Sequence, residues 1–220
     1  MSRKDNQPSN WREERRKRAL ELKHLGWKQR QIAEAFGVTE AAVSRWVTIV
    51  FVDESGFYLL PGRMRTYAPC GQTPVLRCFQ TRDHLSVMSG LTMVGQLYTK
   101  VRETALTSTD SVGFLKHLLR LLGKVLVIWD GSPIHKGEVR DYLSHGGAAN
   151  VHLEQLPPYA PDLNPDEGIW RLLKNVEMRN LCCRDLHHLR RALQLAIMRL
   201  RVKPQLIKAC FPSAGLSLET

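Results

Sequence analysis

The sequence predicts an α/β domain, a mixed five-stranded sheet flanked by helices, preceded by a small all-α module. Three observations carry that expectation. Two runs, Thr48-Ile49-Val50-Phe51-Val52 and Lys124-Val125-Leu126-Val127-Ile128-Trp129, are apolar without polar alternation, as in strands buried on both faces. Between them, stretches at 57–60, 73–80, 84–89 and 91–101, the last broken at Gly95, read as antiparallel hairpins. After Ser111 helix and strand alternate, which adds further strands through helical crossovers.

The chain has 220 residues, enough for one full domain and a small module at roughly 150 residues per domain. Its apolar fraction of 43% supports a packed core, and its formal net charge of +11 favours a polyanionic partner. No apolar stretch approaches the roughly 20 residues that span a bilayer. Residues 1–10 are polar and lack the apolar region of a signal peptide, so a cytoplasmic protein without membrane association is expected. The five cysteines are odd in number, two of them (Cys182 and Cys183) are adjacent, and none is in C-x-x-C spacing. They read as reduced structural thiols rather than disulfides or zinc ligands.

Residues 1–47 form the expected helical module, with 1–10 as a tail and 48–220 as the main domain. In 11–25, Ala19, Leu22 and Leu25 fall at helical spacing before a stop at Gly26. A second helix at 28–36 presents Ile32, Ala33 and Phe36. Gly37-Val38 then makes a tight turn, and Thr39 is a suitable N-cap for a third helix through Ala42, Val43 and Trp46. Helix, short turn with glycine, then capped helix is the helix-turn-helix pattern. It places Glu40, Ala41, Ser44 and Arg45 where they reach base edges in a major groove, with Arg12, Arg15, Arg16 and Lys17 nearer the phosphates. Double-stranded DNA is the partner this predicts. A small bundle with a solvated charged face is the plainer reading of the same pattern.

In the main domain Phe114, Leu115, Leu118, Leu119 and Leu122 make an amphipathic helix that stops at Gly123. A helix at 134–143, a short strand at 151–156, a helix opened by Asn164-Pro165 and a basic helix at 185–201 follow. Both buried strands end in a carboxylate, Asp53 and Asp130. If the strands are sheet neighbours, the two charges stand side by side and repel unless a cation lies between them. Hard divalent ions such as Mg²⁺ are bound in this way. Either aspartate alone reads as a cap or turn residue, and it is the repetition that favours a site. A third carboxylate lies near the Asn164-Pro165 helix start, where Asn164 as N-cap and Glu167 at the third position resemble a capping box. Asp166 falls nearer the apolar stripe than Glu167, and periodicity does not choose between them.

Three blocks carry a family resemblance: Phe51-Val52-Asp53-Glu54-Ser55-Gly56-Phe57; Ile128-Trp129-Asp130 with Pro133 and His135; and Leu156-Pro157-Pro158-Tyr159 with Leu163-Asn164-Pro165-Asp166-Glu167 and Trp170. Together they resemble the signature blocks of mariner-like DDE transposases, in the branch of the bacterial insertion sequences. The resemblance covers 49–201, and the 37 positions from Asp130 to Glu167 are similar to the family's spacing. It implies a ribonuclease H-like fold with Asp53, Asp130 and Glu167 as the catalytic, metal-binding triad. Two Mg²⁺ or Mn²⁺ ions are implied, with Asp53 bridging both. The activity implied is cleavage and strand transfer of DNA at transposon terminal repeats and a target, by a homodimer, in a nucleoid-associated protein. His135 and Asn164 are expected beside the ligands as supporting or substrate-positioning groups, with an ordinary helix-start residue as the equal alternative for His135.

The sequence departs from the family in two places. Trp46-Val47 runs directly into Thr48-Ile49-Val50, where family members usually carry a second helical subdomain and a linker, so an internal deletion is expected. Asp166 and Gly168 replace a more usual aliphatic and a larger residue, and Gly168 is expected to weaken its helix by up to roughly 1 kcal/mol relative to Ala. The readings that result are an active transposase, a DNA-binding remnant whose nuclease domain folds without transposing, and a host nuclease of the same fold.

Overall fold

Strand β1, Thr48–Tyr58, is the axis of the domain, and a single burial pattern explains it: Ile49, Val50, Phe51 and Val52 are all buried, so both faces are covered. The computed structural model describes residues 29–36, 48–60, 62, 64–77, 81, 83–158 and 160–216. Of the helical module it describes α1, Gln29–Phe36, which matches the second expected helix within one residue. The other two expected helices lie outside the described residues, and with them Arg12, Arg15, Arg16, Lys17, Glu40, Ala41, Ser44 and Arg45.

The sheet continues with β2, His84–Thr92, and β3, Leu97–Arg102, both in an antiparallel meander with β1. Gly95 turns between them with φ +86, a conformation that glycine adopts without strain. Helix α2, Ser108–Leu122, then crosses over to β4, Val125–Trp129, which pairs parallel to β1. A 3₁₀ turn, Pro133–His135, and helix α3, Glu138–Ser144, lead to β5, Val151–Gln155, parallel to β4. The strand order is β3-β2-β1-β4-β5, the mixed five-stranded sheet expected from three hairpin strands and two crossovers. Helix α4, Asp166–Arg171, runs on into a π-helical segment, Leu172–Glu177. Helices α5, Leu186–Arg201, α6, Pro204–Lys208, and α7, Cys210–Ser213, complete the chain.

Two cores lie on opposite faces of the sheet. Val50, Val52, Val127 and Trp129 pack with Phe114, Leu115 and Leu118 of α2 and Val139 of α3. Ile49, Phe51, Leu126 and Ile128 pack with Ile169, Trp170, Leu193, Ile197 and Phe211 of α4, α5 and α7. Alternate residues of β1 thus feed alternate cores. That alternation later decides which way each carboxylate points.

The start of α2 shows how strongly it is specified. Thr107 caps it, and Asp110 closes a capping box by accepting from the Thr107 backbone N–H. Asp110 is also paired with Lys100 Nζ at 2.8 Å and lies 3.6 Å from Arg102 on β3. Burial alone opposes its charge, but the Lys100 and Thr107 bonds outweigh it and hold the carboxyl below its usual range.

Two expectations need correction. Residues 73–77 are irregular rather than a strand: Pro74 has no N–H for a ladder, and Val75 is 78% exposed with no core to join. The rest of that expected strand, 78–80, lies outside the described residues. The expected 134–143 helix is split, because Gly137 takes φ +58 between the 3₁₀ turn and α3. No described helix is long and apolar enough to cross a membrane. Among the described residues Cys70, Cys182, Cys183 and Cys210 are not in disulfides.

Candidate active site

The parallel register of β1 and β4 pairs Val50 with Val127 and Phe51 with Ile128. Two residues further along each strand stand Asp53 and Asp130. They therefore leave the sheet at the same level on adjacent strands, as the repeated strand-then-aspartate pattern predicts. Asp130 stands just past the end of β4, but Asp53 lies within β1, which does not end there as expected and continues to Tyr58, with Asp53 opposite Ser89 of β2.

Asp53 shares its face with Ile49 and Phe51, so it looks toward α4. Trp170 Nε1–H donates to Asp53 Oδ2 at 2.8 Å, and the indole also meets Phe57 edge-on with ring centroids 6.0 Å apart. Burial raises the Asp53 carboxyl to about 7; the Trp170 bond and the Glu54 backbone N–H oppose it, and the charges of Glu54 and Glu167 add to it.

Asp166 and Glu167 differ sharply in environment. Asp166 is fully buried and accepts from Ser89 Oγ at 2.5 Å, while its Oδ2 has no partner. Burial pushes its carboxyl well above the usual range, and Asp53, Glu54 and Glu167 push the same way. Glu167 is exposed and lines a cleft of about 480 Å³ with Trp170, Arg171, Lys174 and Asn175. The helix start that carries both is tied down by Asn164, whose Oδ1 accepts from the Asp166 backbone N–H at 3.2 Å and whose Nδ2 lies 3.5 Å from Val52 O. The N-cap of α4 is Pro165 rather than the expected Asn164, and no capping box forms with Glu167; Asn164 instead links the Asp166 N–H to the residue before Asp53. Lys174, one π-helical stretch on, donates to Ser55 Oγ at 2.7 Å and sits over the Phe57 ring. Burial lowers its ammonium, against the pull of Glu167 and Asp53.

Asp130 is held differently. Its Oδ1 accepts from the Ser132 backbone N–H at 2.9 Å and lies 3.1 Å from His135 Nδ1. Nδ1 is also 3.1 Å from Asp130 O, and Nε2 is 2.9 Å from Glu54 Oε1. The ring is stacked on Trp129 at 4.0 Å with an interplanar angle of 3°. Burial disfavours the charged imidazole, but the Glu54 bond and the two carboxylates raise it above its usual range.

Among the described residues, Glu54, Asp130 and His135 are the set of metal-ligating side chains whose ligand atoms fall within 4.8 Å of one another. Both His135 nitrogens in it face hydrogen-bond acceptors, so the ring directs no lone pair at an ion. Asp53 and Glu167 do not fall within that set. The all-oxygen donors at the sheet edge and the destabilised charge of Asp53 fit a hard divalent cation.

Four residues of this site escape a reading by periodicity. Trp170 reads as part of an apolar stripe, although a buried indole N–H needs an acceptor and so signals one nearby. Glu54, beside Asp53, points to the opposite face by strand alternation. Ser89 and Lys174 carry no local signal, since their partners Asp166 and Ser55 are 77 and 119 positions away.

Comparison with known families bears on this fold and its paired carboxylates. Residues 48–190 match the family of DDE superfamily endonucleases, and the chain belongs to that family. Residues 10–49 match a homeodomain-like domain, a helix-turn-helix type. Among solved structures, the chain is similar to a pre-cleavage Mos1 transpososome at 18% identity and TM-score 0.54, over 100% of this chain and 83% of that one. It is similar to the Mos1 mariner paired-end complex with Mg at 19% identity and TM-score 0.53, with the same coverages. The corresponding complex with Mn matches at 18% identity and TM-score 0.53, also over 100% and 83%. At these identities the likeness establishes the fold, which is ribonuclease H-like. No curated protein matches the chain.

Proposed function

We propose that the protein is a DDE transposase of a bacterial insertion sequence, which cleaves and transfers DNA strands at a site made by Asp53, Asp130 and Glu167. The observation that carries this is the level emergence of Asp53 and Asp130 from adjacent parallel strands, with Glu167 facing the same edge from α4. Two Mg²⁺ or Mn²⁺ ions held by these residues would supply an activated water or 3′-hydroxyl and charge stabilisation at the leaving oxygen. The chain's own groups orient the ligands. Trp170 fixes one oxygen of Asp53, the Ser132 N–H and His135 fix one oxygen of Asp130, and Asn164 sets the helix start that carries Glu167. No side chain is needed as a nucleophile.

The 1–47 module supplies affinity for double-stranded DNA through Arg12, Arg15, Arg16 and Lys17 and reads bases through Glu40, Ala41, Ser44 and Arg45. The terminal repeats of the element and a target duplex are the substrates, and a homodimer is the working assembly. An internal deletion between the two parts is supported by the matched segments, which meet at 48–49 without a linker. That join also favours a second reading, a DNA-binding remnant without transposition activity.

Plasmid nicking separates the two. Purified protein will nick supercoiled DNA in Mg²⁺ or Mn²⁺ but not in EDTA. Asp130→Asn will lose at least about a hundredfold in rate, the equivalent of a few kcal/mol of transition-state stabilisation. Folded wild-type protein that binds DNA and never nicks it would instead establish the remnant.

A further inference from the structure

Glu54 has no assigned task, although it immediately follows Asp53. Strand alternation turns it to the opposite face of the sheet, toward the core that holds Trp129 and Val139. There its side chain, 17% exposed, accepts from His135 Nε2 at 2.9 Å. The imidazole is enclosed, 3% exposed, and lies flat on Trp129, which removes rotation about its last torsion. Its other nitrogen points at Asp130, at 3.1 Å from both the backbone oxygen and Oδ1. Asp130 itself is 53% exposed and would otherwise be free to change rotamer, with only the Ser132 N–H on its carboxylate.

From this chain of contacts we infer that Glu54 and His135 are a positioning pair: Glu54, reaching from the far face of the sheet, locks the His135 ring so that it holds Asp130 Oδ1 and leaves Oδ2 directed outward for a divalent cation. The inference rests on the proposed metal site and adds to it a residue on β1 that does not face the site. Glu54 acts as a hydrogen-bond acceptor and not as a metal ligand, because its oxygen is spent on the imidazole. Hydrogen-bond partners that orient metal ligands are worth about ten- to a hundredfold in metal affinity. The free rotamer of Asp130 is the cost of losing this one.

The test is direct Mn²⁺ binding to the full-length protein, followed by the electron paramagnetic resonance of free ion, with nicking titrated against Mn²⁺ in parallel. Glu54→Ala is expected to weaken Mn²⁺ binding at least about tenfold and to raise the Mn²⁺ needed for half-maximal nicking by the same factor. Its rate at saturating Mn²⁺ should stay near wild type. Glu54→Gln keeps an acceptor for the imidazole and should recover most of the affinity. Glu54→Ala binding Mn²⁺ as tightly as wild type would overturn the inference. So would Glu54→Gln being as weak as Glu54→Ala, since charge rather than the hydrogen bond would then be the cause. Should Glu54→Ala not fold, Glu54→Leu, which also offers the imidazole no acceptor, takes its place with the same expected and overturning results. The underlying metal site fails separately, and visibly: wild-type protein would then bind no Mn²⁺, or Asp130→Asn would bind it unchanged.

Discussion

Replacing Asp53 with Asn will abolish metal-dependent nicking and, in the absence of metal, make the protein more stable at neutral pH. Both effects come from one carboxyl. Burial beneath Trp170, with Glu54 and Glu167 nearby, raises it from 3.8 to about 7 in the metal-free fold. A raised acid contributes its full stability below the unfolded value, near pH 4, and loses it as pH rises through the folded value near 7. The shift of about three units corresponds to a penalty on the order of 4 kcal/mol by pH 8, with relaxation and solvent reducing what is observed. Asn keeps an oxygen for the Trp170 N–H and carries no charge, so the penalty disappears. Thermal melts in EDTA should show wild type losing more stability than Asp53→Asn between about pH 4 and pH 7, with the buried Asp166 and His135 contributing a loss common to both. At pH 4 the two should coincide. Saturating Mg²⁺ should close the gap at pH 8 by stabilising wild type alone. A wild-type melt that does not vary with pH in EDTA would show that Asp53 is not held in this way.

Gly168→Ala will destabilise the domain, although Ala is the better helix former. A methyl group built at Gly168 would lie 2.7 Å from both Cβ and Sγ of Cys210, where α4 crosses α7. Cys210 is buried beside Phe211, so it has little room to give way. The up to 1 kcal/mol gained in helix propensity is set against about 1–3 kcal/mol of overpacking. The net loss should lower the melting temperature by several degrees, given about 2–4 °C per kcal/mol in a domain of this size. Adding Cys210→Ala should recover part of it only, because the Cys210 Cβ is itself in the clash. A stabilised Gly168→Ala would mean that the two helices do not approach so closely. The expectation that glycine merely weakens this helix is therefore superseded: it permits the crossing that seats Glu167 beside the sheet edge.

How much of this was legible in the sequence varies with how local its cause is. β1 and β4 announce themselves because burial on both faces leaves no polar residue in either run; Asp130 follows the end of β4 as expected, whereas Asp53 lies inside β1, which runs on to Tyr58. The exposure of Glu167 against the burial of Asp166 follows the helical count, which placed Asp166 nearer the apolar stripe. The failures have the same logic. Residues 73–77 are as β-prone in composition as a true strand, but no core lies under Val75 and Leu76, both exposed, and composition does not report what lies beneath. Glu54 and Trp170 matter through partners 81 and 117 positions distant, a long-range pairing that no local pattern encodes. His135, read only as a group near Asp130, turns out to be tied to both strands at once.

The proposed ligands of the divalent cation are Asp53, Asp130 and Glu167. Anomalous diffraction from crystals soaked in Mn²⁺ tests this most directly. Density is expected at the sheet edge bounded by the Asp53, Asp130 and Glu167 carboxylates, with Glu54 and His135 still bonded to each other. Density centred instead among Glu54, Asp130 and His135, with the imidazole turned to ligate it, would contradict the assignment.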